Sequence, residues 1–108
     1  MAWRIVLAAA CAWGLVWIDA GAIAADPATH TVVIEGLKFV PENLTVKRGA
    51  TVVWVNKDPF PHTATAKGVF DSGSIAAGGS WKYAARETGE YPYICTFHPN
   101  MKAMLRVE

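Results

Sequence analysis

An all-β sandwich or barrel is the fold class that this sequence predicts, on two observations. Short runs rich in Val, Ile, Tyr and Trp recur between Gly- and Pro-containing breaks from Thr31 onward, and no stretch of that region sustains a helical apolar period. With 108 residues, the chain has room for one domain only. Its first quarter reads as a different kind of segment. Residues 1–24 carry Arg4, an apolar run over about Ile5 to Ile18 and the small-residue exit Ala22-Ile23-Ala24, the pattern of a secretory signal cleaved after Ala24. Asp19 interrupts the run, which is shorter than the roughly 20 residues of a spanning helix, so no stable membrane insertion is expected after cleavage. A single Arg before the run is not a twin-arginine signal, so folding follows export. The expected destination is the periplasm.

Residues 25–31 read as a flexible leader and residues 32–108 as the folded domain. Thr31 to Glu35 is the first strand, Gly36 marks a bulge or bend, and Leu37 to Val40 resumes apolar-polar alternation. Pro41-Glu42-Asn43 turns the chain. Leu44 to Lys47 alternates cleanly, Arg48-Gly49 supplies a turn, and Thr51 to Asn56 follows, so these two strands are expected to form a hairpin. The charged, Pro-rich stretch from Lys57 to Pro61 is a loop that delivers His62 to a short strand from Thr63 to Ala66. Glycines at 68, 73, 78 and 79 punctuate the next section before a strand from Ser80 to Ala84. Thr88-Gly89-Glu90 then turns into Tyr91 to Cys95, where Pro92 demands a sheet edge or a position outside the ladder. Met104 to Val107 closes the domain. Trp54 and Trp81 read as core fillers, and His30, in the leader, as solvent-exposed.

Lys and Arg number 10 against 9 Asp and Glu, interspersed, for a formal net charge of +1. Nothing in that balance suits nucleic acid or an anionic membrane. Cys11 leaves with the signal, so Cys95 is the only cysteine of the mature chain and no intramolecular disulfide can form. A lone thiol in an oxidising compartment calls for burial or metal capture.

The neighbours of Cys95 favour capture. Cys95-Thr-Phe-His98-Pro-Asn-Met101 sets a thiolate, an imidazole and a thioether on one short segment, and His62 is the best source of a second imidazole. Sulfur donors of this kind suit Cu(I), imidazole suits both copper oxidation states, and two His with one Cys and a weak axial Met make the blue-copper geometry. Side chains on a strand diverge to opposite faces, so three donors on one segment require the chain to turn, which Pro99 favours. A structural zinc site gives no reason for the Met. A nucleophilic role for Cys95 lacks a third orienting group, and three histidines are too few for a further copper cluster. Copper delivery or storage could use the same donors and is the alternative to electron transfer.

These residues resemble the cupredoxins, and among them the amicyanin and pseudoazurin group of small bacterial blue copper proteins. The likeness rests on Phe39-Val40-Pro41, Val46-Lys47-Arg48-Gly49, Val52 to Asn56, His62-Thr63, Gly89 to Cys95 and the Cys-x-x-His-x-x-Met spacing. It implies a Greek-key β-sandwich, no enzymatic activity, and one type 1 copper ion on His62, Cys95, His98 and Met101. It also implies that Asn56 ties the two ligand loops together. The chain differs after Met101, where Ala103 stands in place of a common Gly, and Met104 is the alternative axial donor. The resemblance further implies a monomeric carrier serving an amine dehydrogenase donor and a c-type cytochrome acceptor. Docking would use apolar residues around His98, namely Phe60, Pro61, Phe97, Pro99 and Met104.

Overall fold

The computed structural model describes residues 28–108 and Gly14. Apart from Gly14, the expected secretory signal and its cleavage site lie outside the described residues. Among the described residues there is no helix, and two sheets face each other as predicted.

The first sheet holds β1 (Thr29–Ile34), β2 (Phe39–Val40), β4 (Thr51–Asn56) and β7 (Ser80–Ala84), in the order β2-β1-β4-β7. The second holds β3 (Asn43–Val46), β5 (Thr65–Ala66), β6 (Phe70–Asp71), β8 (Gly89–Cys95) and β9 (His98–Val107), in the order β3-β9-β8-β5-β6. Period-two alternation decides which side chains enter the space between them. On β4 the inward set is Val52, Trp54 and Asn56; on β9 it is Met101, Ala103, Leu105 and Val107. Trp54 is fully buried, with its ring centroid 5.4 Å from Phe70, 5.5 Å from Trp81 and 5.5 Å from Tyr93. Aromatic pairs at such spacings contribute about 0.5–1.5 kcal/mol each beyond burial.

Three local expectations change. β3 and β4 do not form a hairpin: β3 pairs in parallel with β9, and β4 in parallel with β1 and antiparallel with β7. The Arg48-Gly49 turn instead carries the chain from one sheet to the other. Its amides are spent on distant partners, Arg48 N–H on the Glu108 carbonyl at 2.8 Å and Gly49 N–H on the Ala85 carbonyl at 2.7 Å. The second difference is that β1 starts at Thr29, inside the expected leader, because Thr29 and His30 stand opposite Thr51 and Val52 in the parallel ladder. His30 is consequently half-buried rather than exposed, and its Nε2 is buried without a partner.

The third difference is at Gly36. The expected bend is a two-residue hairpin turn between β1 and β2, closed by Glu35 N–H to the Lys38 carbonyl at 3.0 Å and Lys38 N–H to the Glu35 carbonyl at 3.3 Å. Both central residues have positive φ, 62° at Gly36 and 61° at Leu37. That combination defines the turn type whose twist matches the flanking strands. Glycine adopts it freely, whereas for Leu37 the left-handed conformation costs about 1–2 kcal/mol.

The buried Tyr93 hydroxyl and Trp54 indole N–H have no partner of good hydrogen-bond geometry. Burial pushes the Tyr93 phenol up to about 12, only partly opposed by the nearby indole N–H. Because the folded value exceeds the ordinary 10.0, the contribution of the neutral phenol is complete below pH 10.0 and is lost as pH rises through about 12. Urea midpoints should therefore fall across that window in the native sequence and fall less in Tyr93→Phe. At neutral pH the same variant should lie within about 1 kcal/mol of the parent, since no well-formed hydrogen bond is removed.

Candidate metal centre

Two segments cross between the sheets at one end of the sandwich. Residues 57–64 run from β4 to β5 and residues 72–79 return from β6 to β7. They meet in a bridge, in which His62 N–H donates to the Ile75 carbonyl at 3.1 Å and Ile75 N–H to the His62 carbonyl at 2.7 Å, and again where Ser72 N–H donates to the Ala64 carbonyl at 3.0 Å. The fully buried Asn56 side chain fixes both crossings. Its Nδ2 donates to the carbonyls of Phe60 at 2.9 Å and Ile75 at 3.0 Å, while its Oδ1 accepts from Asp58 N–H at 3.0 Å. With its amide satisfied in this way, Asn56 is a structural clamp on the segment that carries His62.

The remaining donors come from β8 and β9. Cys95 stands opposite His98 across the Thr96-Phe97 turn, yet its neighbour Ile94 stands opposite Lys102. Residues 99–101 therefore have no counterpart on β8, an enlarged bulge that bends the strand back on itself. The expected turn between Cys95 and Met101 is thus split between Thr96-Phe97 and this bulge. Ala103 has an ordinary strand conformation, since Leu37 is the only non-glycine residue with positive φ among the described residues. Met104 alternates with the inward residues Ala103 and Leu105 and lies opposite Pro92 and Asn43, on the outer side of the sheet. Met101 shares the inward face and is 5% exposed.

These segments bring His62, Cys95 and His98 together. Cys95 Sγ lies 3.6 Å from His62 Nδ1 and 3.8 Å from His98 Nδ1, and the three donor atoms lie within 4.8 Å of one another. Imidazole and thiolate bind a first-row ion at about 2.0 and 2.3 Å, and in a trigonal plane such donors sit roughly 3.8 Å apart. The spacing fits a shared ion. His62 and Cys95 are fully buried and His98 is half-buried. Phe60 lies against both imidazoles, with ring centroids 5.1 Å from His62 and 5.9 Å from His98.

Several supporting residues were not singled out by the sequence reading. Thr63 N–H donates to Cys95 Sγ at 3.3 Å, a contact that favours a negatively charged sulfur. The Thr63 hydroxyl accepts from Thr96 N–H at 2.8 Å and lies 3.1 Å from Thr96 Oγ1. Thr63, rather than Asn56, joins the two donor-bearing segments, which corrects the role expected of Asn56. Asp58 Oδ2 lies 2.8 Å from His62 Nε2, and the carboxylate also accepts from Gly36 N–H at 2.7 Å and Leu37 N–H at 3.0 Å. Burial works to raise the Asp58 carboxyl, but the Leu37 and Gly36 amides and the His62 ring together outweigh it and hold the group below its ordinary value. A carboxylate four positions before a candidate imidazole was the available signal; the loop composition around Pro59 masked it.

An apolar face surrounds the exposed edge of His98, lined by Leu37, Phe60, Pro61 and Phe97. Leu37 was missed, because only the β1–β2 turn brings it there, and Met104 does not take part. Phe97 is 52% exposed and Leu37 46%.

Comparison with known proteins gives a consistent result. A model of the cupredoxin-like domain matches residues 6–107. Amicyanin of Paracoccus versutus is 38% identical over 93 residues, covering 79% of this chain and 70% of that protein. Among solved structures, the Cu(I) form of a methionine-to-alanine mutant of amicyanin superposes with a TM-score of 0.69 at 32% identity, over 81% of this chain and 88% of that one. A copper-containing nitrite reductase from Thermus scotoductus gives 0.71 at 32% identity over 84% of this chain, which spans only 25% of that enzyme.

Without the Asn56 amide, the Phe60 carbonyl and the Asp58 N–H lose their side-chain partner, and the Ile75 carbonyl keeps only the His62 N–H. Asn56→Ala should cost about 2–4 kcal/mol of stability, on the scale of several lost buried hydrogen bonds. Urea denaturation of the purified protein measures it, and a loss under 1 kcal/mol would show that the crossings hold themselves.

Proposed function

Because the chain belongs to the cupredoxin-like family, we propose that it is a periplasmic type 1 (blue) copper electron-transfer protein, with His62, Cys95, His98 and Met101 as the ligands of one copper ion. The observation that carries this reading is the placement of two imidazole Nδ1 atoms at 3.6 and 3.8 Å from one buried sulfur. The donor chemistry selects copper, since soft sulfur combined with imidazole serves Cu(I) and Cu(II) alike. Once bound, the ion supplies a one-electron Cu(I)/Cu(II) couple.

The protein's own contribution is rigidity. Cys95 would hold the ion as a thiolate, which the Thr63 N–H is placed to stabilise. His62 is held at both ends, by its backbone bridge to Ile75 and by its ring contact with Asp58. His98 joins the buried centre to the apolar face, so electrons would cross there. Met101 would be the fourth donor, being inward-facing where Met104 is outward. A donor set that keeps its arrangement in both oxidation states leaves little reorganisation for each electron exchange. The small apolar face around His98 suits brief, weak docking of a redox partner. An amine dehydrogenase as donor and a c-type cytochrome as acceptor are the partner classes proposed for this monomeric carrier. The nitrite reductase likeness covers a quarter of that enzyme and supports no reductase activity for this chain.

Adding Cu(II) to the purified mature protein should give an intense blue absorption band with matching paramagnetic signals, both lost in Cys95→Ser. Identical spectra for the two proteins would reject thiolate coordination. Tight binding without a visible band, with Cu(I) passed to an acceptor, would favour delivery or storage instead. Copper should also raise the unfolding free energy by about 2.7 kcal/mol at a hundredfold excess over its dissociation constant.

A further inference from the structure

We propose that Asp58 is a positioning residue that couples His62 to the Gly36-Leu37 turn, so that one carboxylate fixes both the metal-facing nitrogen of the imidazole and the leucine on the apolar face. The inference rests on the copper-site reading above but concerns atoms outside the ligand set.

A carboxylate only accepts hydrogen bonds. At 2.8 Å from Asp58 Oδ2, His62 Nε2 must therefore carry a proton, and in the neutral imidazole Nδ1, which faces Cys95 Sγ, is then the bare nitrogen. The carboxylate is in turn fixed by two amides, and its backbone by a third contact. Gly36 N–H meets Oδ1 at 2.7 Å, Leu37 N–H meets Oδ2 at 3.0 Å, and the backbone N–H of Asp58 is held by Asn56 Oδ1 at 3.0 Å. The first two are the amides that a tight hairpin turn leaves free, and here both point at a single buried side chain. The unfavourable Leu37 conformation, φ 61°, is thus offset by a bond made to the group that orients His62. Leu37 lines the same face as His98. One buried carboxylate therefore links the interior imidazole to the outer surface, and neither end can shift without disturbing the other. A group that orients a ligating imidazole in this way usually matters 10–100-fold in metal affinity.

Asp58→Asn keeps the size and removes the charge. An asparagine has one acceptor oxygen and a donor amide, so it cannot serve the three N–H groups that converge here. In the metal-free native protein, 15N spectra of the His62 ring should show a protonated Nε2 and a bare Nδ1. In Asp58→Asn that single form should give way to a mixture, and amide exchange at Gly36 or Leu37 should quicken about tenfold. Zn(II) affinity, measured by chelator competition, should fall 10–100-fold. In the copper-loaded variant, loss of a nearby negative charge should raise the Cu(I)/Cu(II) ratio at fixed applied potential about tenfold.

A native protein with the proton on Nδ1 overturns the proposal without any variant, so a misfolded Asp58→Asn leaves it testable. Lower stability in Asp58→Asn with unchanged ring form, zinc affinity and copper ratio would mean a merely structural role and would also overturn it. Failure of the native protein to turn blue would strike the electron-transfer reading, while the ring spectra and zinc competition still decide the role of Asp58.

Discussion

The buried Asn56 amide is the constraint on which the site depends. Placed on the last inward position of β4, it enters the interior instead of solvent, and three polar backbone groups must converge on it. Burying an amide is tolerable only when its donors and acceptor are matched, so the two sheet-crossing segments have little freedom around it. His62 rides on one of these segments, and Ile75, its bridging partner, on the other. The position of the His62 imidazole is thereby set by the packing of the sandwich rather than by loop composition.

A second fixed point lies across the interface between segments. Thr63 and Thr96 exchange hydrogen bonds, and Thr63 N–H reaches the sulfur of Cys95, so the two halves of the donor set are joined through one threonine adjacent to His62. Asp58 extends the connection outward to the β1–β2 turn. From the apolar face inward, Leu37, Asp58, His62, Thr63 and Cys95 form a continuous chain of hydrogen-bonded or directly contacting groups. A centre built in this way resists rearrangement when its charge changes, which is what exchange of single electrons demands.

Much of this was legible from residue order alone. Alternation of apolar and polar residues marked most strands to within a few positions, because a sheet buried on one face imposes a period of two. The donor set was legible for a different reason: Cys95, His98 and Met101 lie within seven consecutive residues, and few side chains other than His62 could complete them. Partner choice between strands was not legible. Leu44 to Lys47, Arg48-Gly49 and Thr51 to Asn56 have the local chemistry of a hairpin, yet each strand finds a parallel partner far away in sequence. Local turn preference cannot register that competition. Parallel pairing of Thr29 and His30 with β4 likewise turned an apparent leader into an edge of the core.

The sequence by itself determined the all-β class and a set of sulfur and imidazole side chains suited to copper, since these follow from periodicity and from the chemistry of single side chains. Only the tertiary structure decided which strands pair, that Met104 faces outward while Met101 faces in, and that Asp58, Thr63 and Leu37 support the centre. The reason is that hydrogen bonds between residues 20 or 30 positions apart depend on register and sheet crossing, and those are set by burial of the whole core at once.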